Sequence, residues 1–330
     1  MRRIMTRTVT MTVAAAAVSA FTLAACGGGG GGGSSIVYSG LTTPAAITSD
    51  NALALAGTAY DSGNSGGSLA FVGTAADRTT GSEIGAARAV NVAHVLVAAV
   101  RSARFGPSSE TTVAAGATTS GSLPAGTCGG SATYSGTADE STGEFHATFR
   151  FTAWCNEGVT VSGTLNADGL VDVSTQDLAS LEFSFSVLTI DDGTNTFQGR
   201  GTISVTFGAS DVLTIDMDFG SGDGTIYRAS NLIIESSLNG SDETVTVTGR
   251  VFHPLHGYVD VTTPQALVVV SGDDYPSSGE LVVTGAGGSR ARITAVSATT
   301  FRLDVDEDGN GSYETMVGTF EWGTRDPVVG

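Results

Sequence analysis

The feature that most restricts what this chain can fold into is an alternation of apolar and polar residues running from about Thr127 to Trp322. In Glu144-Phe-His-Ala-Thr-Phe-Arg-Phe-Thr-Ala-Trp-Cys155, the residues Phe145, Ala147, Phe149, Phe151, Ala153 and Cys155 share one face of an extended chain. Glu144, His146, Thr148, Arg150 and Thr152 share the other, because successive side chains of a strand point to opposite sides. The same period recurs in Val159–Leu165, Phe197–Phe207, Leu213–Phe219, Val245–Val251, Leu281–Val283, Ala291–Ala295 and Phe301–Val305. Alternation of this kind describes antiparallel strands with one dry and one wet face, not the continuous apolar runs of buried parallel strands.

Turn residues separate the runs: Asp168-Gly169, Asp192-Gly193, Ser221–Gly224, Asn239-Gly240, Gly287-Gly288 and Asp308-Gly309. Their number predicts about eleven or twelve strands in meander order. A sheet that wide must curl, close or split, and its dry face needs a cover. Two stretches upstream can supply it. Ser49 or Asp50 is placed to cap a short helix over Asn51–Ala56, and Ser82-Glu83 to start a second from Ile84 to about Arg104. The latter contains Ala89–Val100, apolar nearly all round, as in a helix buried on every side. The expected fold is therefore mainly β: an antiparallel meander over residues 111–330 forming a curved sheet or open barrel. Helical segments within residues 49–110 pack on its apolar face. A lipid-embedded barrel is the alternative, but clear aromatic girdles are lacking.

The N-terminus reads as an address. Arg2, Arg3 and Arg7 precede an apolar run from Val9 to Ala25, and the first acidic residue is Asp50. The run is too short and too rich in Ala and Thr for a spanning helix, which needs about 20 strongly apolar residues. It ends in Leu23-Ala24-Ala25-Cys26, which resembles the lipobox of bacterial lipoproteins. That resemblance implies that residues 1–25 are a signal peptide and that Cys26 becomes the acylated first residue of an envelope protein anchored to a membrane by its lipid. Two or three acyl chains hold a membrane stably where one does not. Gly27, which is not acidic, resembles an outer-membrane sorting signal. Gly27–Gly33 and Ser34-Ser35 follow within the expected tether, residues 26–48. Nine residues of this type span on the order of 15–18 Å, enough to hold a folded body clear of lipid headgroups. A phosphate-binding glycine loop is excluded, since no strand precedes the tract and no Gly-Lys-Ser/Thr follows it.

Charge and cysteine usage agree with that compartment. The whole chain carries −18; removing residues 1–25 takes three of its 15 basic residues and none of its 33 acidic ones, leaving −21. Such a charge speaks against nucleic acid and against a body that lies flat on anionic lipid. With Cys26 committed to lipid, Cys128 and Cys155 remain as an even pair in an oxidising compartment, which predicts a disulfide between them. A loop of this length is worth roughly 3–4 kcal/mol in the chain-entropy picture.

The last 60 or so residues carry a further resemblance. Tyr275-Pro276, Gly279–Gly285, Arg292-Ile-Thr-Ala-Val and Phe301–Gly309 are similar to the end of a group of uncharacterised proteobacterial lipoproteins. Members pair a lipobox and glycine run with a β-rich body, an internal cysteine pair and an acidic turn before a Trp. The resemblance implies an architecture and a location, and no activity.

For chemistry, the sharpest local pattern is Asp304, Asp306, Asp308, Asn310 and Glu314, in a segment bent at Gly309 and Gly311. Alternate carboxylates around a tight turn resemble the first half of a calcium loop, although Glu314 falls one place early; an acidic hairpin turn is the competing reading. His253-Pro-Leu-His256 reads as a loop at a sheet edge and His94, within the apolar helix, as a core or cap histidine, neither as a metal ligand. No Gly-x-Ser-x-Gly elbow is present, and Asp216 and Asp218 share the wet face of one strand. The composite expectation is a non-catalytic envelope protein serving as scaffold or binding surface, its protein or lipid partner undefined. A carrier of a hydrophobic ligand in the concave face and a surface adhesion module are the alternatives.

Overall fold

A computed structural model describes residues 36–64, 87–103, 118–156, 158–191, 196–220, 224–324 and 327–328. Cys26, the signal and the glycine run lie outside these residues, as do Asp192-Gly193 and the His94 side chain. Helix α1 spans Ala52–Asn64 and helix α2 Ala87–Ser102. Fourteen strands follow in one antiparallel sheet whose spatial order is its sequence order. They are β1 Thr118–Ser122, β2 Gly129–Ala138, β3 Glu144–Asn156, β4 Val159–Val171, β5 Leu178–Asp191, β6 Thr196–Thr206 and β7 Asp211–Gly220. The meander continues with β8 Ile226–Asn239, β9 Asp242–His253, β10 Gly257–Val269, β11 Ser278–Thr284, β12 Arg290–Ser297, β13 Thr300–Asp306 and β14 Thr315–Glu321. The sheet does not close, and the meander is longer than the eleven or twelve strands expected.

The strands bend because bulges recur along them. In the β8–β9 pair the register slips between Ser230 and Ile233, where Asn231 adopts φ 46°. Opposite stands Gly249 at φ 136°, where any Cβ would run into the Asn231 carbonyl oxygen. Gly201 meets the β7 slip at Asp216 in the same way. A bulge with a glycine on the neighbouring strand raises local twist and curls a wide sheet. The curl brings distant strands onto the same helices: α1 touches β9, β11, β12 and β13, while α2 touches α1 and β4. Tyr60 of α1 stacks on Trp322 just past β14, at 4.4 Å between ring centroids. Leu55, Leu96, Phe149, Phe183, Phe219 and Phe301 belong to one buried core, so the helical segments do pack on the apolar face.

Three expectations are corrected. Cys155 does not share the face of the phenylalanines. A slip between Phe151 and Trp154, with Ala153 at φ 45°, places Trp154 in the core and leaves Cys155 half-buried. Asp168-Gly169 is not a turn but lies inside β4. A Cβ on Gly169 would meet the Phe145 ring, so glycine here makes room for an aromatic neighbour. Asn239-Gly240, Gly287-Gly288 and Asp308-Gly309 do join consecutive strands. Neither Ser49 nor Asp50 directly precedes α1; Asn51 does, and its side chain accepts from Thr48 N and donates to Ala46 O.

The chain reaches α1 along the sheet. Residues 36–47 form a strap across one rim, with Tyr38 N donating to Asp218 and Tyr258 N donating to Thr43 O. Further along, Ala45 N donates to Tyr258 O and Ile47 N to the Ser289 hydroxyl.

Candidate functional site

With the dry face and helices buried together, the exposed chemistry lies on the wet face and at the strand ends. On β2–β6, cross-strand register sets Thr137, His146, Asp168, Glu182 and Ser204 in one row. Ser135, Thr148, Asn166, Ser184 and Thr202 form the next. His146 Nδ1 lies 2.5 Å from Asp168 Oδ1, and the Thr148 hydroxyl donates to Asn166 Oδ1 at 2.9 Å. Two open hollows, of about 480 and 520 Å³, share His146 and Asp168 on their walls. The surface offers hydroxyl, amide, imidazole and carboxylate groups at strand spacing, suited to a polar ligand bound by hydrogen bonds. An Asp–His pair is part of a hydrolytic triad, but both side chains are exposed. Among the described residues no serine or threonine hydroxyl bonds the imidazole.

The acidic turn divides the five residues expected to act together. Asp306, Asp308 and Glu314 bring one carboxylate oxygen each within 4.8 Å of one another. Asp304 is not with them. Arg292 Nη2 and Arg302 Nε donate to its Oδ2 at 3.1 and 2.9 Å, because β12 and β13 set all three on one face. Asn310 lies between the acids, its side-chain amide donating to Asp308 and Glu314. Asp306 is fully buried and accepts from Gly309 N, Asn310 N and Gly311 N. Its oxygens thereby close the turn on the protein's own donors. Glu307 accepts from Ser49 N, which lowers its pKa from the ordinary carboxylate value and ties this turn to the residues that lead from the strap into α1.

Cys128 and Cys155 lie at disulfide distance, their Cα atoms 5.1 Å apart, at the rim where β2 begins and β3 ends. Asp216 and Asp218 share the outer face of β7 but serve different partners. Asp216 accepts from Asn231 N, while Asp218 binds Arg228 and the strap.

His253 and His256 flank the β9–β10 turn with ring centroids 4.5 Å apart. Burial, and then the charge of His256, lowers the pKa of His253 to about 4. Leu255 N donates to its Nδ1, which suits a neutral ring. Behind this turn Tyr38 of the strap gathers with Arg228 of β8, Arg250 and Phe252 of β9 and Tyr258 of β10; this cluster was not anticipated, since its members come from three strands and the strap. The absence of acidic residues from 36–47 and from 251–259 was the signal available. No family model, characterised protein or solved structure matches the chain.

Proposed function

We propose that this chain is a non-catalytic cell-envelope lipoprotein, anchored through acylated Cys26, whose sheet presents the polar face of β2–β6 as a binding surface. The observation that carries the binding reading is the division of the sheet. Its dry face is buried with α1 and α2 in one core, and the hollows around His146 and Asp168 open on the other side. The anchor is supported by the Leu23–Cys26 motif and by a cysteine pair suited to an oxidising compartment. The placement of α1 and α2 favours a filled concavity over a carrier of hydrophobic ligand. Metabolic labelling with an alkyne palmitate tests the anchor: the wild type should incorporate label and sediment with membranes, and Cys26→Ser should do neither. Label retained by Cys26→Ser would refute it. A photocrosslinking residue at Thr148 in intact envelopes tests the surface. It should yield adducts that the same residue at exposed Thr248 of β9 does not, and equal yields would remove the binding reading.

A further inference from the structure

Three of the ten exposed large apolar side chains among the described residues lie on the strap and on the turn it crosses. Leu255, at the tip of the β9–β10 turn, is 75% exposed; Leu41 is 49% and Val37 44% exposed. Strap and turn form one unit: Leu41 N donates to Pro254 O, and the Tyr38 hydroxyl bonds the carbonyls of Leu41 and His253. Gly40 permits this approach, since a Cβ there would strike Pro254 Cα.

Behind the apolar tip stands a layer of aromatic rings and arginines. Arg228 lies over the Tyr38 ring at 5.1 Å and near Phe252 at 5.9 Å, and Arg250 lies over Tyr258 at 3.9 Å. Apolar side chains at the front with aromatic and arginine groups behind is the order found where proteins meet a bilayer. Aliphatic groups enter the acyl boundary, while rings and guanidinium groups stay at headgroup level. The segments 36–47 and 251–259 contain no Asp or Glu, in a chain with 33, and the two carboxylates that do reach this corner, Asp218 and Asp260, are paired with Arg228 and Arg250.

Covalent reach points to the same partner. Nine Gly/Ser residues separate Cys26 from Ile36, and a chain of that length spans on the order of 15–18 Å. We infer that the Val37–Leu41–Leu255 tip docks on the surface of the bilayer that holds the lipid anchor, so that the body is seated at the membrane and not merely tethered near it. This rests on the acylation of Cys26. The acidic turn after β13 belongs to the same rim, since β10 pairs with β11, β11 with β12 and β12 with β13. Its carboxylates repel anionic headgroups, which confines contact to the β9–β10 corner and favours zwitterionic lipid.

The test uses the full-length lipidated protein in phosphatidylcholine vesicles with and without bromine-labelled acyl chains. Leu255→Trp places an indole at the tip. Leu238→Trp places one at the opposite rim, where Leu238 is 57% exposed beside the β8–β9 turn. After subtraction of the wild-type signal from Trp154 and Trp322, emission from position 255 should be lost to bromolipid and shifted to the blue. Docking to a depth of about 5–10 Å brings the indole within contact of the bromines. Emission from position 238 should not change. Flotation of the wild type beside Cys26→Ser reads the anchor separately. Protein that floats without quenching at 255 overturns the docking and leaves the anchor standing. Equal quenching at 255 and 238 overturns the assigned corner. Failure of the wild type to float removes the anchor, and the docking with it.

Discussion

Asp218 and Arg228 face each other across β7 and β8 in a two-pronged ion pair, with Nε to Oδ1 at 2.6 Å and Nη2 to Oδ2 at 3.1 Å. The same Oδ2 accepts from Tyr38 N at 3.0 Å. Hydrogen bonding to the carboxylate raises the pKa of Arg228, which remains charged. The pair therefore does more than join two strands: it fastens the start of the strap to the sheet.

Removing Asp218 strands a guanidinium that is about a third exposed and a buried backbone donor. Asp218→Ala should cost about 2–3 kcal/mol, less than for a fully buried pair because water reaches Arg228. Urea denaturation gives the loss. Limited proteolysis should show cleavage between residues 36 and 47 well before the sheet is cut. Unchanged cleavage there would mean that the strap is held by its later bonds, at Tyr258 and Ser289.

His253 predicts a pH dependence. Its folded pKa of about 4 lies below the ordinary 6.5, so between these values the unfolded chain binds the proton that the folded chain refuses. Stability is therefore full above about pH 6.5 and falls as pH drops towards 4, by up to about 3 kcal/mol from this group alone. His253→Asn keeps an acceptor for Leu255 N and cannot gain the charge. Thermal melts from pH 7 to 4 should show a shallower decline for the variant. Parallel declines would assign the acid loss to the carboxylates.

The cysteine pair closes a loop of sequence separation 27 where β2 begins and β3 ends. Reduction should lower stability by roughly 3–4 kcal/mol, and Cys128→Ser with Cys155→Ser should match the reduced wild type. Melting with and without a phosphine reductant measures both. An unchanged midpoint on reduction would mean that the Leu123–Ala132 and Cys128–Cys155 backbone bonds already fix this end of the sheet.

What the sequence revealed and what it concealed divide along the strands. Phe145 to Phe151 alternate as a straight strand must, and their burial follows. Two residues later the rule fails, because the Ala153 bulge adds a residue that the period does not count. β2, built of Gly, Ser, Ala and Thr around Tyr134, has too little apolar contrast to announce itself. Asp168-Gly169 has turn chemistry, yet the Phe145 ring uses the missing side chain as space. The acidic turn was visible as a run of carboxylates. Which of them face one another depends on Arg292 and Arg302, whose claim on Asp304 is a matter of pairing between β12 and β13. The strap has no period at all, and its buried Tyr38, Ala45 and Ile47 acquire meaning only from the strand ends they cross.

The turn after β13 gives the last prediction. Asp306 is fully buried and satisfies three backbone donors, whereas Asp308 is exposed and bonds only within the turn. Asp306→Ala leaves Gly309 N and Gly311 N with no acceptor, while Asn310 N keeps Asp308 Oδ1, and should cost about 2–4 kcal/mol; Asp308→Ala should cost under about 1 kcal/mol. A calcium site predicts a different order. Asp308 and Glu314 would then matter as much as Asp306, and saturating calcium at a hundred times Kd would add about 2.7 kcal/mol that a chelator removes. Since the Asp306 oxygens are taken by Gly309, Asn310 and Gly311, the expected result is a melting midpoint indifferent to calcium and chelator alike. A calcium-dependent rise abolished by Asp308→Ala would show that the cation displaces those backbone donors.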